Sequence, residues 1–172
     1  MEITFHPLSE DYFPLLLKWL ESPHVKTWWD PDIQWTPKLI QEKYGSYTKG
    51  YKLVEGEPKE IHGFIIHADA IPVGYIQLYD AHDFPKVVSL GGLPQSMAAI
   101  DILIGEKAYL GKKLGSFAVA LFLKQFCEGR YETVLVDPET QNRVAVRMYE
   151  RAGFMKIRDF PEHGKTRMLK TF

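Results

Sequence analysis

The strongest constraint on this chain lies near its C-terminus. Thr133–Val136 is a short apolar strand, and an acidic turn, Asp137-Pro138-Glu139, separates it from the helical stretch 141–151, whose apolar positions Val144, Val146, Met148 and Tyr149 run into Ala152-Gly153-Phe154. Gly153 suits the left-handed residue that ends a helix, and Phe154 suits the first core residue of a following strand. Strand, turn, helix, strand is therefore the predicted local order, which demands a sheet with a helix packed on it.

The same order occurs upstream. Leu110-Gly111-Lys112-Lys113-Leu114-Gly115-Ser116 lies between the apolar run Ile100-Asp101-Ile102-Leu103-Ile104 and a helical run over 116–128. A strand that enters a helix through a glycine-containing turn leaves backbone N–H groups unpartnered at the positive end of the helix dipole. Such a spot binds pyrophosphate, and Lys112 and Lys113 add charge to it. The glycines match neither Gly-x-Gly-x-x-Gly nor a Walker loop.

Before these units the pattern predicts a strand over 3–6, a helix over 9–20 opened by Ser9, Glu10 and Asp11, and helical segments over 23–29 and 37–47 started by Pro23 and Pro37. Strands follow at 51–54, 61–68 and 73–79, the last two forming a hairpin across Asp69-Ala70-Ile71-Pro72. A Gly- and Pro-rich loop over 84–95 precedes the strand at 99–104, and strands at 155–160 and 166–169 close the chain. The predicted class is α+β, with a central mixed, mostly antiparallel sheet flanked by helices. With 172 residues, no repeat and no low-complexity linker, residues 1–172 read as one domain.

Composition narrows the function. A formal charge of -1 offers no basic surface, so no nucleic-acid partner is expected. No apolar run reaches roughly 18 residues and Met1-Glu2-Ile3-Thr4 opens no signal peptide, so no membrane partner is expected and the cytoplasm is the default. The single cysteine, Cys127, forms no internal disulfide and reads as a core thiol. The six histidines lack metal-ligand spacing and no Gly-x-Ser-x-Gly elbow exists, so neither a metal nor a serine nucleophile is expected.

Asn142 a few residues past a strand, followed by Ala145-Val146-Arg147-Met148-Tyr149-Glu150-Arg151-Ala152-Gly153-Phe154, resembles the end of the GNAT N-acyltransferase fold, and the order of elements agrees over nearly the whole chain. The 110–116 segment is similar to that family's pyrophosphate loop, Arg/Gln-x-x-Gly-x-Gly/Ala. With Gly115 on the final glycine, Leu110 takes the Arg/Gln position at the loss of one polar contact, and Lys113 takes the middle glycine. Lys113 is tolerated there if it already sits in the first helical turn with negative φ. More narrowly, Trp19-Leu20, Pro23-His24-Val25, Trp28-Trp29, Gly74-Tyr75-Ile76-Gln77-Leu78-Tyr79 and Ile100-Asp101 are similar to bacterial aminoglycoside 6′-N-acetyltransferases, although lysine and siderophore N-acyltransferases share the tryptophan-rich first helices.

The resemblance implies an acetyl-CoA-dependent enzyme acting by direct attack of a primary amine in a ternary complex. It assigns Leu110, Gly111, Lys112, Lys113, Leu114, Gly115, Ser116 and Asn142 to the cofactor, and the backbone N–H groups of Ile102, Leu103 and Ile104 to the thioester carbonyl and pantetheine. Tyr149 is implied near the departing thiolate as a general acid; a packed core tyrosine is the alternative. Asn142 is alternatively a helix cap. An aspartate ten residues before the first loop glycine, the place of Asp101, is implied as the base.

The chemistry asks for such groups. An amine attacks a thioester only when neutral, so an ammonium must first give a proton to a carboxylate or to water. The oxyanion then needs donors and the thiolate a proton. Asp101 interrupts an apolar strand, where an unpaired buried charge costs several kcal/mol, on the order of values for ions in low dielectric. Its alternative is an edge-strand carboxylate facing water. For the acceptor, Trp28, Trp29, Asp30, Tyr79, Asp83 and Asp137, with Asp80 and Glu139, are candidates for one carboxylate- and tryptophan-lined cleft suited to a small, polycationic amine. Loop aspartates alternatively serve as caps and turns, and one of the tryptophans as a staple under the first helix. Another amine acceptor (siderophore precursor, polyamine or protein N-terminus) or a non-catalytic coenzyme A-binding module remain the competing readings, and the chain is expected to act as a monomer or homodimer.

Overall fold

The computed structural model describes residues 1–172. Eight strands, β1 (Ile3–Pro7), β2 (Tyr51–Val54), β3 (Glu57–Ala68), β4 (Ile71–Asp80), β5 (Met97–Ile104), β6 (Thr133–Val136), β7 (Met155–Phe160) and β8 (Lys165–Thr171), form one mixed sheet in the order β1-β3-β4-β5-β6-β8-β7, with β2 on β3. The helices are α1 (Phe13–Glu21), α2 (Pro23–Lys26), α3 (Pro37–Tyr44), α4 (Leu114–Phe122) and α5 (Arg143–Arg151). Contacts group the chain into two units, residues 1–77 with 102–112 and residues 78–101 with 113–172, and β4 and β5 each run through both.

The first unit is built on antiparallel hairpins. Glu55-Gly56 and Asp69-Ala70 both take positive φ, at 51° and 81° and at 47° and 67°, which is the turn whose twist matches that of paired strands. The second turn is thus two residues long rather than four, and Ile71 and Pro72 belong to β4. On α1, Leu16, Trp19 and Leu20 recur at helical spacing and are fully buried; truncating Trp19 to Ala would cost about 3–5 kcal/mol. The segment predicted as a helix over 23–29 stops at Lys26, ahead of Asp30, which is left-handed at φ 48° and precedes Pro31, a position disfavouring the right-handed helix. The segment predicted over 37–47 ends at Tyr44 and yields to a 3-10 turn, Tyr47–Lys49.

In the second unit β5 and β6 run parallel while β6–β8 and β7–β8 are antiparallel. The parallel pair forces a crossover, supplied by α4. That helix starts at Leu114, two residues before the predicted start, and passes into five π-helical residues, Leu123–Cys127. Met97, Ile100, Val119, Phe122, Val134 and Met168 fill this core. Burial there pushes the Cys127 thiol up to about 12, so it stays protonated as a core group.

Candidate active site

The parallel pairing of β5 with β6 runs through Met97↔Thr133, Ala98↔Val134 and Ala99↔Leu135 and goes no further. Two residues past its end stands Asp101, half-buried, at a cavity of about 210 Å³. Tyr79, Lys86, Asp101, Asp137 and Lys165 supply the polar groups of that cavity, and Val88 and Leu135 are among its apolar walls. The strand's divergence is what gives a charged side chain room inside an otherwise apolar sheet.

Asp101 is engaged rather than isolated. The Tyr79 hydroxyl bonds it, and the same hydroxyl accepts from Lys86 Nζ at 2.8 Å. Burial of Tyr79, then the Asp101 charge, raise the phenol's pKa far above its ordinary value, so it remains a neutral donor to the carboxylate. Lys86 lies over the Tyr79 ring at 4.7 Å from its centroid. Burial draws its pKa down, opposed by the Asp101 and Asp137 charges. Tyr149, from α5, is buried and packs edge-on against Phe154 at 5.4 Å; burial first, and then the Asp101 charge, raise its pKa.

Asp137, expected as an open partner for a substrate ammonium, already has both oxygens bound: Arg167 Nε donates to Oδ1 at 3.0 Å and Nη2 to Oδ2 at 2.9 Å. Arg167 is 4% exposed and also donates to the carbonyls of Ser89 at 2.7 Å and Val88 at 3.2 Å. It thereby ties the loop after β4 to β8. Lys165 pairs with Glu139 at 3.1 Å, and Asp80 caps the His82 N–H at 2.9 Å. Of the carboxylates expected in one cleft, Asp101 and Asp137 line the cavity, and Asp137 and Glu139 carry matching cations, as a carboxylate taken from water requires. Asp83 sits in a 3-10 turn directly after β4. In the first unit, Asp30 pairs with Lys43 at 2.7 Å, Trp29 packs edge-on against Tyr75 at 6.1 Å, and Trp28 is 41% exposed. Lys86, Arg167 and Lys165 were not singled out from the sequence. For Arg167 the available signal was a charged residue inside a predicted closing strand, whereas Lys86, in a loop without period, offered none.

The 110–116 loop leads into an uncapped helix start. Gly111 has φ 73° with open space where a Cβ would stand, and no side chain caps the start of α4. The Phe117 N–H bonds the Lys113 carbonyl at 3.1 Å, and the N–H groups of the first turn before it lack intrahelical partners, as at any helix start. The expectation that Lys113 has negative φ is overturned: it precedes the helix in the left-handed region at φ 60°. A glycine would take that backbone without the strain a side chain adds. Leu110, Lys112, Lys113 and Gly111 are exposed, Lys112 lying 5.9 Å from the Tyr109 ring centroid, while Leu114 and Ser116 are buried and Gly115 is half-buried. Asn142 caps α5, its Oδ1 accepting from the Ala145 N–H at 3.2 Å, which leaves its amide NH2 available. Along β5, Leu103 is buried and Ile102 and Ile104 are half-buried; the Leu103 carbonyl lies 2.3 Å from where a Cβ on Gly74 would stand, so only glycine lets β4 approach there.

A family model described as acetyltransferase (GNAT) domain matches residues 9–161. The chain belongs to the GNAT family. This acetyltransferase is 26% identical over 171 residues to aminoglycoside N(6′)-acetyltransferase type 1 of Klebsiella pneumoniae, with 88% of this chain and 73% of that protein covered, and a Serratia marcescens protein of the same name matches equally. Among solved structures, AAC(6′)-Ib with paromomycin and acetyl-CoA has a TM-score of 0.84 at 24% identity, covering 99% of this chain and 94% of that one. AAC(6′)-Ib with coenzyme A and kanamycin has a TM-score of 0.81 at 25% identity, covering 99% and 95%. No helix of this acetyltransferase is long and apolar enough to cross a membrane.

Proposed function

We propose that this GNAT protein transfers the acetyl group of acetyl-CoA to a primary amine of an aminoglycoside, at the 6′ position, in a ternary complex. The observation that carries the reading is Asp101, a carboxylate at the point where β5 leaves β6, inside a cavity and between two tyrosines whose pKa values its charge helps raise. The named relatives supply the acceptor class.

In this reading Asp101 takes a proton from the incoming ammonium, and the freed nitrogen lone pair attacks the acetyl carbonyl. Backbone N–H groups of Ile102, Leu103 and Ile104 receive the developing oxyanion, and the α4 N-terminus with Lys112 and Lys113 holds the pyrophosphate. As the C–N bond forms and the C–S bond breaks, the nitrogen sheds its second proton to solvent and Tyr149 gives its hydroxyl proton to the departing sulfur; Asp101 then releases its proton to solvent and Tyr149 regains one from it. Tyr79 orients Asp101 by its hydrogen bond.

The test is thiol release from acetyl-CoA with kanamycin A, with the acetylated nitrogen located by NMR. Acetylation of the 6′-nitrogen supports the reading; release only with a polyamine, a siderophore precursor or a peptide N-terminus overturns the aminoglycoside assignment.

A further inference from the structure

We propose that Lys86 sets acceptor specificity: its ammonium stands beside Tyr79 and Asp101 where a second substrate cation would need to sit, so the pocket favours an amino sugar with a hydroxyl, rather than a second ammonium, across the ring that bears the reacting amine. The inference rests on Asp101 receiving the reacting amine, as in the function proposed above.

Three observations carry it. Lys86 Nζ is fixed by the Tyr79 hydroxyl at 2.8 Å and by the ring face, and the Tyr79 hydroxyl also bonds Asp101, so cation, phenol and carboxylate form one chain. The backbone carrying Lys86 is held close by, because the buried Arg167 donates to the carbonyls of Val88 and Ser89. The other charged groups of the cavity are already matched, Asp137 by Arg167 and Lys165 by Glu139, so no spare carboxylate there welcomes a second cation.

An ammonium presents three N–H donors and no acceptor. With one donor on Tyr79, Lys86 offers the rest to the substrate. A hydroxyl accepts such a bond, whereas a second ammonium cannot and is repelled at close range, so the discrimination comes from an unfavourable pairing with the wrong substrate.

The experiment compares kcat/KM for kanamycin A, which carries a hydroxyl at the 2′ position of the ring bearing the 6′-amine, with that for kanamycin B, which carries an amine there. The wild-type protein should prefer kanamycin A. Lys86→Met should lower the A-to-B ratio by roughly tenfold to a hundredfold, given one close cation pair in partly solvated surroundings. Lys86→Arg, which keeps the charge, should retain most of the preference, and Lys86→Gln gives the charge-free readout if the Met variant is unstable. A purely structural role would lower both rates together and leave the ratio alone. An unchanged ratio in the charge-free variants overturns the proposal. Failure of wild type to acetylate either sugar while acetyl-CoA still raises the melting temperature overturns the aminoglycoside reading, and this inference with it.

Discussion

At the residue scale, the informative side chains are those that break a local pattern. Asp101 was legible because it interrupts an apolar strand, and the structure gives it a cavity and a tyrosine partner. Arg167 lies in a strand that already carries Lys165, Thr166 and Lys170 and so stands out less, and its burial is explained by a bidentate carboxylate and two carbonyls. Lys86 was not legible, since a lysine in a proline- and glycine-rich loop is indistinguishable from a solvated one until the loop is folded back. Lys113 was misread: a cation beside a phosphate cradle says nothing of its φ, and the left-handed backbone shows only in three dimensions. That strain is measurable. Lys113→Gly and Lys113→Ala both remove the charge, but only glycine relieves a cost of roughly 1 kcal/mol, so the Gly variant should melt about 2–4 °C above the Ala variant. Equal melting temperatures would mean that the position is relaxed in solution. For Tyr149→Phe, kcat should fall with natural acetyl-CoA, and the defect should ease when the leaving thiol is made more acidic; a defect independent of the leaving group would mark a packing role.

At the element scale, the strand-turn-helix units were readable because their apolar periods change from two to 3.6 and glycines punctuate them. Element ends were less so. The helix over 23–29 shortened where Asp30 turns left-handed before Pro31, and α4 ran on into a π-helical segment that no propensity announces. The 110–116 loop yields a binding prediction. Acetyl-CoA at about 100 times its Kd should stabilise the protein by about 2.7 kcal/mol, or roughly 5–10 °C, and Gly111→Asp should abolish that shift by adding a Cβ at φ 73° and a repelling charge. An undiminished shift in the variant would remove the loop from the cofactor site. The loop after β4 yields another. Arg167→Met strands the Asp137 carboxylate and should cost about 3–5 kcal/mol in denaturant unfolding, whereas the double variant Arg167→Met, Asp137→Leu should recover much of that. A double variant no more stable than the single one would show that the two carbonyl bonds, not the ion pair, dominate.

At the scale of the whole molecule, a mixed sheet flanked by helices was legible from the order of strands and helices, whereas the strand order was not: β6 pairs in parallel with β5 across the α4 crossover and takes β8 rather than the next strand, β7, on its other side. Charge pairing within the cavity did not follow, since it depends on strands distant in sequence: Asp137 and Arg167 are 30 residues apart, and Ser89 lies 78 residues from Arg167. A net charge of -1 on the chain therefore says little about the local balance at the acceptor site. The account as a whole requires an acetyl transfer that is limited by removing a proton from an ammonium at Asp101. The most direct measurement is thiol release from acetyl-CoA by the wild-type protein and by Asp101→Asn, with one competent amine, from about pH 6 to about pH 9, below and approaching the ionisation range of ordinary amines. Asparagine keeps the shape and loses the proton acceptor, so kcat should fall by roughly 10²- to 10⁴-fold near neutral pH. The deficit should narrow as pH rises, because more of the amine then arrives already neutral. A wild-type kcat in Asp101→Asn across that range would contradict the account, leaving Asp101 as a structural carboxylate and the proton to water.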